Sequence, residues 1–482
     1  MKLMKKVISI ILLLSLIMTV LSCGDQTGNK TGGDTTDAGT TAEETTAKDM
    51  SGVCEIPDDV RFDGETFTFA IYENANTNNH MVTDEENGDT QNDAMYKRQR
   101  MTEERFGITL QEVVYDDNAS KFRAPILSGD SDYNIANVRC TDALSFWQEG
   151  IIIPTSELPY IDLEKTYWNK DFNESLTLVG QQYIAIGDML TSTLDLTYAL
   201  TFNKKLAEDY NVGDIYALVR DGKWTYDAML SMMKLVTTDL NGDTKMDEND
   251  CYGYAAHPKQ VLPDFWISAG EMVIKKDADG IPYLAVGEER FIDVFNKIFD
   301  ITYGAETYYK PSDALFDVPE SCIKLFSNNQ SLFMDASFYY IQQLRSMETD
   351  FGIIPYPKFD EEQERYYSRV SYYNAPIVPV TNQNAEFTGA LLEYFNYASS
   401  LTVIPAYRDT VLYGKVIRDE ESSDMLDIIF DARVVDIGDT TLCGEIRDGT
   451  FSVMFSNENN NLSSKIPNMQ TVVDKFVSKL PE

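Results

Sequence analysis

The segment ETFTFAIY, residues 65–72, decides the fold class. Its apolar side chains alternate at Phe67, Phe69 and Ile71, which is the two-residue period of a β-strand. Outward from this strand, the pattern predicts a helix at 92–105 capped by Asn92 or Asp93, a strand at 108–114, a helix at 121–127, a strand at 133–138 and a helix at 142–148. Strands that alternate with helices predict an α/β fold with a mainly parallel sheet.

The rest of the chain continues this alternation with longer helices. Thr225 is the expected cap of a helix whose apolar residues, Met229, Met232 and Met233 among them, recur at helical spacing. Such a stripe predicts core packing. The remaining predicted elements are strands at 183–186, 196–202 and 331–334, helices at 289–303 and 386–399, and a mostly helical last eighty residues.

The N-terminus has the layout of an export signal. Lys2, Lys5 and Lys6 precede an apolar run of about 14 residues, which is shorter than the ~20 that span a bilayer. Cys23 follows Ser22, and this ending resembles the lipobox of bacterial lipoproteins. We therefore expect a signal peptide at 1–22 and lipidation of Cys23. The alternatives are a plain secreted chain and an uncleaved anchor.

The residues after Cys23 predict a tether. Residues 24–50 contain no aromatic and no branched aliphatic residue, so this segment cannot bury enough apolar surface to fold. We expect 23–54 to be a disordered tether between the membrane and a globular body. The ~430 residues that follow suggest two or three lobes.

Charge and residue usage exclude several classes of function. The net charge of −38 repels phosphate backbones, so we expect no nucleic-acid partner. The five cysteines after Cys23 are widely spaced and form no C-x-x-C pair, which argues against a zinc site. With only His80 and His257 in the chain, a Ser–His nucleophile or a site with several histidine ligands is not expected.

Five segments, taken in order, resemble one protein family. They are NDAMYKRQRMTEERF (92–106), YALTFNKKL (198–206), GKWTYD (222–227), FSNNQSLFM (326–334) and FGIIPYPK (351–358). They are similar to the first helix, the crossing strand and three later elements of bacterial extracellular solute-binding proteins of the maltodextrin-binding type, the capture subunits of ABC importers. The segment 326–334 departs from the family pattern, since Asn-Gln-Ser replaces the usual Gly and small residues.

The resemblance implies an α/β, two-lobed fold of the type II periplasmic-binding-protein class. The lobes would be discontinuous in sequence and linked by a hinge. We expect the first lobe at 55–196 plus 365–400, and the second lobe at 197–364 plus 401–482.

Sugar sites in such clefts combine aromatic faces with carboxylates and amides. These side chains should lie just beyond the strand ends, where the lobes meet. The resemblance places Trp266, Asp335 and Phe338 at cleft positions of the family. The full set of candidates is Tyr72, Glu73, Thr141, Asp142, Asp195, Trp266, Asp335, Phe338, Tyr373 and Asn374. The alternative is core packing for the aromatic residues and a helix cap for Asp142.

One loop has the oxygen spacing of a calcium site. Positions 1, 3, 5, 9 and 12 of the loop 239–250 carry oxygen side chains, and position 7 offers a backbone carbonyl, as in an EF-hand. Thr244 replaces the usual Gly at position 6. The expected ligands of a structural Ca²⁺ are Asp239, Asn241, Asp243, Lys245, Asp247 and Asp250. The alternative is an acidic turn without an ion.

Together these features predict non-catalytic capture of an extracellular mono- or oligosaccharide for an ABC permease. We expect a monomer on the outer face of the cell membrane, held there by its lipid anchor (or periplasmic, if the cell has an outer membrane). No organic cofactor is expected. The alternatives are a surface polysaccharide-binding scaffold without a transporter and a secreted glycoside hydrolase that uses two carboxylates.

Overall fold

The computed structural model describes residues 51–73, 79–116, 119–312, 319–409 and 419–480. The predicted signal peptide, Cys23 and most of the predicted tether lie outside the described residues. Within the described ranges, no helix is both long enough and apolar enough to cross a membrane.

The strands are short and distributed along the whole described chain. In chain order they are β1 (Thr66–Tyr72), β2 (Thr109–Tyr115), β3 (Ile135–Arg139), β4 (Ile152–Ile153), β5 (Tyr198–Asn203), β6 (Tyr252–Ala255), β7 (Ile274–Lys276), β8 (Pro282–Leu284), β9 (Tyr308–Tyr309), β10 (Ser331–Ser337), β11 (Phe351–Ile354), β12 (Ser368–Arg369), β13 (Asn374–Pro379) and β14 (Arg433–Val434).

Helices fill most of the remaining chain. They are α1 (Thr90–Phe106), α2 (Ala119–Ser128), α3 (Cys140–Gln148), α4 (Lys170–Leu176), α5 (Ser192–Asp195), α6 (Lys204–Asp209), α7 (Ile215–Arg220), α8 (Tyr226–Val236), α9 (Pro258–Ser268), α10 (Glu289–Phe299), α11 (Glu320–Ser327), α12 (Phe338–Ile341), α13 (Ala385–Leu401), α14 (Val403–Tyr407), α15 (Glu420–Asp431), α16 (Val453–Ser456) and α17 (Ile466–Val477). Two π-helical stretches lie at Asp300–Gly304 and Gly444–Ser452.

Two five-stranded sheets form the framework of the described residues. Their strand orders are β2-β1-β3-β13-β4 and β11-β5-β10-β6-β9. In the first sheet β13 runs antiparallel to β3 and β4, and in the second β5 runs antiparallel to β10 and β11. Four of the five strands in each sheet therefore run in one direction, as the prediction of a mainly parallel sheet requires, and one strand is reversed. The reason is that β5 and β13 each follow a crossing of the chain from one sheet to the other and enter the new sheet reversed.

Each sheet packs aromatic side chains against the segments that cover it. In the first sheet, the Phe67 and Phe69 rings lie 5.3 and 5.2 Å from those of Phe387 and Phe395 on α13. In the second, the Trp224 ring lies 5.5 Å from that of Phe333 on β10. Because β13 joins a sheet whose other strands precede residue 154, the first lobe is discontinuous in sequence, as predicted. The exact lobe boundaries stay a prediction.

Two local predictions differ from the structure. Asp89, not Asn92 or Asp93, caps α1 by accepting hydrogen bonds from two backbone N–H groups of its first turn. The predicted strand at 183–186 does not form. The backbone N–H and C=O of Ile186 bond instead to the side-chain amide of Asn173, at 2.7 and 3.0 Å, so they are not available to a β-ladder.

Three chain segments run side by side where the two sheets meet. Thr197, just before β5, bridges to Val370, just after β12. The strand β12 in turn pairs in parallel with β14, and the Val370 amide donates to Val434 at 3.3 Å. The connection between the lobes is therefore a narrow three-segment ribbon, which is the kind of element that absorbs a hinge rotation.

Arg369 on β12 anchors this ribbon to the second lobe. Its guanidinium donates to both carboxylate oxygens of Asp439, at 2.6 and 2.8 Å, and also to Gln260 (2.7 Å) and Asp264 (3.1 Å) on α9. The group also lies over the Tyr198 ring, 4.7 Å from its centroid. Bidentate geometry and complete burial make this a strong, directional tie.

We predict that Arg369→Met lowers the free energy of unfolding by about 3–5 kcal/mol, because it leaves Asp439 buried without its main counter-charge. The matched control is Arg365→Met. Arg365 also pairs with an aspartate, Asp171, at 2.5 Å, but it is about half exposed, so its loss should cost under about 1 kcal/mol. Urea unfolding measures both. Equal losses of unfolding free energy in the two variants would contradict the role of Arg369 as the anchor of the ribbon.

Candidate functional site

The candidate site lies where the carboxyl ends of β1 and β3 and the start of β13 reach the ribbon between the sheets. Ligands of open α/β sheets bind outside the carboxyl ends of the strands. Three predicted residues, Tyr72, Thr141 and Asn374, occupy these ends. The structure thus brings together candidates that are up to about 300 positions apart in sequence.

A closed hydrogen-bond network holds the end of β1 to the start of β13. The Tyr72 hydroxyl donates to Asn374 Oδ1 at 2.5 Å, and Asn374 Nδ2 donates to Asn79 Oδ1. Asn79 Nδ2 returns to the Tyr72 carbonyl at 2.8 Å. All three side chains are buried, so they form the floor of the site and fix its shape. The role of Asn79 was not predicted, because it lies in a polar loop without periodicity.

The first turn of α3 supplies the half-buried polar groups of the site. Thr141 and Asp142 lie directly after β3, in the positively polarised end of the helix. Burial raises the pKa of Asp142, and the nearby Arg139 and Arg123 guanidinium groups oppose that rise. Glu73, at the end of β1, is exposed. These groups can accept or donate hydrogen bonds to a polar ligand.

A second polar cluster, which sequence reasoning missed, lies at the return crossing, the segment between β12 and β13 in which the chain passes back to the first sheet. Lys259 Nζ donates to the Tyr372 hydroxyl at 2.7 Å, and Arg447 Nη2 donates to the same oxygen. Asp448 pairs with both cations, at 3.3 and 2.7 Å. Arg447 and Asp448 belong to the π-helix at Gly444–Ser452, a rare element that recurs at functional sites. The C-terminal helical pattern in the sequence contained no signal for it.

Three predicted aromatic contacts lie in the core instead of on an open surface. Trp266 packs 4.8 Å from Phe451, and its indole N–H donates to Asp436 at 3.2 Å. The Phe338 ring lies 4.8 Å from Phe430, and Tyr373 stands edge-on to Phe172 at 4.7 Å. Each is under about 2% exposed, so none offers a ring face to a ligand in this conformation. Sequence could not show this, since the covering residues come from distant segments.

Asp195 is half-buried and lies at the end of α5, just before β5. Its Oδ1 accepts hydrogen bonds from the Tyr407 hydroxyl (2.7 Å) and from Gln342 (3.3 Å). Desolvation raises the pKa of Asp195 to about 6, although both hydrogen bonds oppose the rise. It therefore joins α5 to α14 and the turn after α12, and does not lie with Tyr72 and Asn374.

Asp335 on β10 is fully buried against Asp264 of α9. Desolvation, together with the neighbouring carboxyl group, raises the pKa of Asp335 well above its usual value. Asp264 faces Arg369 at 3.1 Å and accepts from the Tyr356 hydroxyl at 3.2 Å, so it is the better place for the negative charge. Asp335 is therefore the protonated member of the pair, and it is buried on the central strand of the second sheet.

The loop 239–250 is organised by its own side chains. Asp239 accepts from the Gly242 and Thr244 amides, and Asp250 accepts from Leu240 and Asp247, at 2.7–2.9 Å. Thr244 adopts a φ of +69°, the conformation for which an EF-hand uses Gly. Across the part of the chain that the structure describes, no three His, Cys, Asp or Glu side chains are grouped as a metal site. The predicted calcium therefore stays a prediction.

Solved structures with similar folds include the following three proteins. UspC of M. tuberculosis has a TM-score of 0.59 at 13% identity, over 85% of this chain and 100% of that chain. The cyclic α-maltosyl-1,6-maltose binding protein from Arthrobacter globiformis has 0.57 at 12%, over 86% and 98%. An ABC substrate-binding protein of Listeria monocytogenes, in complex with cycloalternan, has 0.52 at 13%, over 86% and 100%.

These similarities confirm the predicted fold class, a two-lobed α/β fold of the type II periplasmic-binding-protein kind. No protein-family profile matches the sequence, and no curated protein sequence matches it. At 12–13% identity the similarity carries the fold alone.

The buried carboxyl pair predicts a specific pH dependence. The pKa of Asp335 is raised in the folded protein, so folding takes up a proton above the ordinary Asp value of about 3.9. The free energy of unfolding that this group contributes is fully present below that pH, and it is lost progressively as the pH rises towards the pKa of the folded protein. Asp335→Asn keeps the neutral form, so its stability relative to wild type should increase as the pH rises above about 3.9, by up to about 1.4 kcal/mol per pH unit, until the folded pKa of Asp335 is passed. Urea unfolding at several pH values measures this, and a pH-independent difference would contradict it.

Proposed function

We propose that this protein captures an extracellular mono- or oligosaccharide without chemical turnover and delivers it to an ABC importer. The observation that carries the proposal is the architecture: two sheets joined by a three-segment ribbon, with half-buried polar side chains at the strand ends beside it. Rotation about such a ribbon closes two lobes over a ligand, and the bound ligand shifts the balance between open and closed states.

The proposed ligand class follows from the side chains at the site. Carboxylate, hydroxyl and amide groups at Glu73, Thr141 and Asp142 suit the hydroxyl groups of a sugar, and Tyr72 and Asn374 would hold the floor on which it rests. Among the structures with TM-scores above 0.5, the Listeria protein was solved with cycloalternan, and a cyclo/maltodextrin-binding protein with a TM-score of 0.57 was solved with maltotetraose. The Arthrobacter protein is named for binding cyclic α-maltosyl-1,6-maltose. Their ligands make α-linked gluco-oligosaccharides the first class to test.

We predict that one member of a panel of glucose, maltotetraose, cellobiose and cycloalternan binds with one ligand per chain and leaves the solution chemically unchanged. Asp142→Ala should weaken that binding by about 10–100-fold, the value of a hydrogen bond to a charged group. The matched control is Asp130→Ala, which removes an exposed carboxylate in the loop between α2 and β3. Calorimetry measures the affinity, and chromatography of the sugar measures turnover.

Three outcomes separate the alternatives. Cleavage of any sugar would contradict pure capture and would favour a glycoside hydrolase. Binding only to long polymers, with no soluble ligand, would favour a surface polysaccharide-binding scaffold. Equal affinities for the Asp142 and Asp130 variants would place the ligand elsewhere.

The proposed location is the outer face of the cell membrane, with Cys23 as the lipid-modified residue. Stable anchoring requires more than one acyl chain. Bacterial lipoproteins, whose lipobox the segment ending in Cys23 resembles, carry more than one. The permease subunits and the lipid bilayer would then be the partners of a monomer. Fractionation of cells that express Cys23→Ala tests this, because an equally membrane-bound variant would contradict the anchor.

We also propose a structural Ca²⁺ in the loop 239–250. If the ion binds there, calcium should raise the Tm and a chelator should lower it, whereas magnesium should act weakly because it demands smaller, octahedral coordination. Asp243→Ala removes one proposed ligand and should abolish the calcium response. An unchanged Tm under all conditions would leave the acidic turn as the correct interpretation.

A further inference from the structure

Tyr372 has a backbone conformation that is rarely adopted by a large side chain. Its φ is +57°, in the left-handed region, and it lies between β12 and β13 at the return crossing. A residue other than glycine in this region costs of order 1–3 kcal/mol and persists only where its surroundings hold it. The contacts of Tyr372 must therefore supply that restraint.

The side chain of Tyr372 is held by two cations of the second lobe. Its hydroxyl accepts hydrogen bonds from Lys259 and Arg447, and the same groups lie 5.3 and 4.7 Å from its ring centroid. Asp448 forms ion pairs with both cations. Arg447 is fully buried, whereas about a fifth of the Lys259 side chain is exposed. The phenol is thus fixed to α9 and to the π-helix at Gly444–Ser452.

The residues on either side of Tyr372 belong to different lobes. Arg369, three residues earlier, bonds to Asp264 and Asp439 next to the second sheet. Tyr373 accepts from the Cys140 amide at 3.0 Å, and Asn374 opens β13 in the first sheet. The backbone therefore changes from second-lobe to first-lobe contacts between Arg369 and Tyr373, and Tyr372 is the strained residue of this stretch.

We propose that Tyr372 is the pivot of the interlobe hinge and that its phenol is the latch that holds this pivot in the left-handed conformation. Releasing the phenol from Lys259 and Arg447 removes the restraint, so the backbone relaxes and the lobes reorient. The link to a ligand rests on the proposed function. A bound ligand that accepts a hydrogen bond from Lys259 weakens the contact between Lys259 and Tyr372. Ligand occupancy of the site and the orientation of the lobes are then linked.

The test uses the ligand-free protein, so it stays valid if no saccharide binds. Tyr372→Phe removes the hydroxyl but keeps the ring and the backbone strain, and Lys259→Met removes one donor. Each should speed hydrogen exchange at the Val370, Ser371 and Asn374 amides by at least about tenfold, the value of a hydrogen bond to a charged group. The two effects should not add in the double variant, since both break the same contact. Small-angle scattering should change in parallel.

Two further variants distinguish a latch from a general loss of packing. Tyr133→Phe removes a buried phenol hydrogen bond of 2.7 Å, to Phe122 in the first lobe, and should leave exchange at the crossing unchanged. Tyr372→Gly removes both the latch and the strain, so the crossing should exchange fast while Tm falls less than in Tyr372→Ala. Wild-type exchange in Tyr372→Phe, or full additivity with Lys259→Met, would overturn the proposal.

Discussion

The ion pair between Arg369 and Asp439 is the interaction on which the arrangement of the two lobes depends. The chain passes between the sheets in three thin segments, which cannot bury enough apolar area to set their own geometry. A buried guanidinium with bidentate and side-on donors fixes direction as well as distance. Arg369 thereby makes β12 part of the second lobe, and the freedom of the crossing is confined to the residues after it.

The polar candidate residues of the site divide into a rigid group and an adaptable group. Tyr72, Asn79 and Asn374 satisfy one another's hydrogen bonds and are closed to water, so they define a fixed floor. Thr141 and Asp142 are half-buried and lie at a helix start, where a ligand can reach them. A site of this kind gains affinity from preorganisation, because little is left to be ordered when the ligand arrives.

Sequence reasoning succeeded where the signal is local and failed where it is tertiary. The strand at 66–72 and the Thr225 cap follow from side-chain period and from cap chemistry, and both are present. The burial of Trp266 could not be predicted, because Phe451, which covers its ring, comes from a segment 185 residues away. Tyr372 was overlooked for the same reason, since a positive φ is imposed by partners that the local sequence does not contain.

The buried arginines show how an acidic chain holds distant segments together. Arg98 donates to neutral groups, the Met81 and Met189 carbonyls and the Ser399 hydroxyl, and burial lowers its pKa to about 9. Arg369 and Arg447 face carboxylates, which raise their pKa despite equal burial. Arg98 therefore joins these neutral groups within the first lobe. Arg369 and Arg447 form charge pairs at the crossing, and in the proposed hinge motion these pairs keep the local geometry fixed. Because breaking a buried charge pair is strongly unfavourable, the proposed hinge motion uses a neighbouring contact whose donor is partly exposed, that of Lys259 with Tyr372.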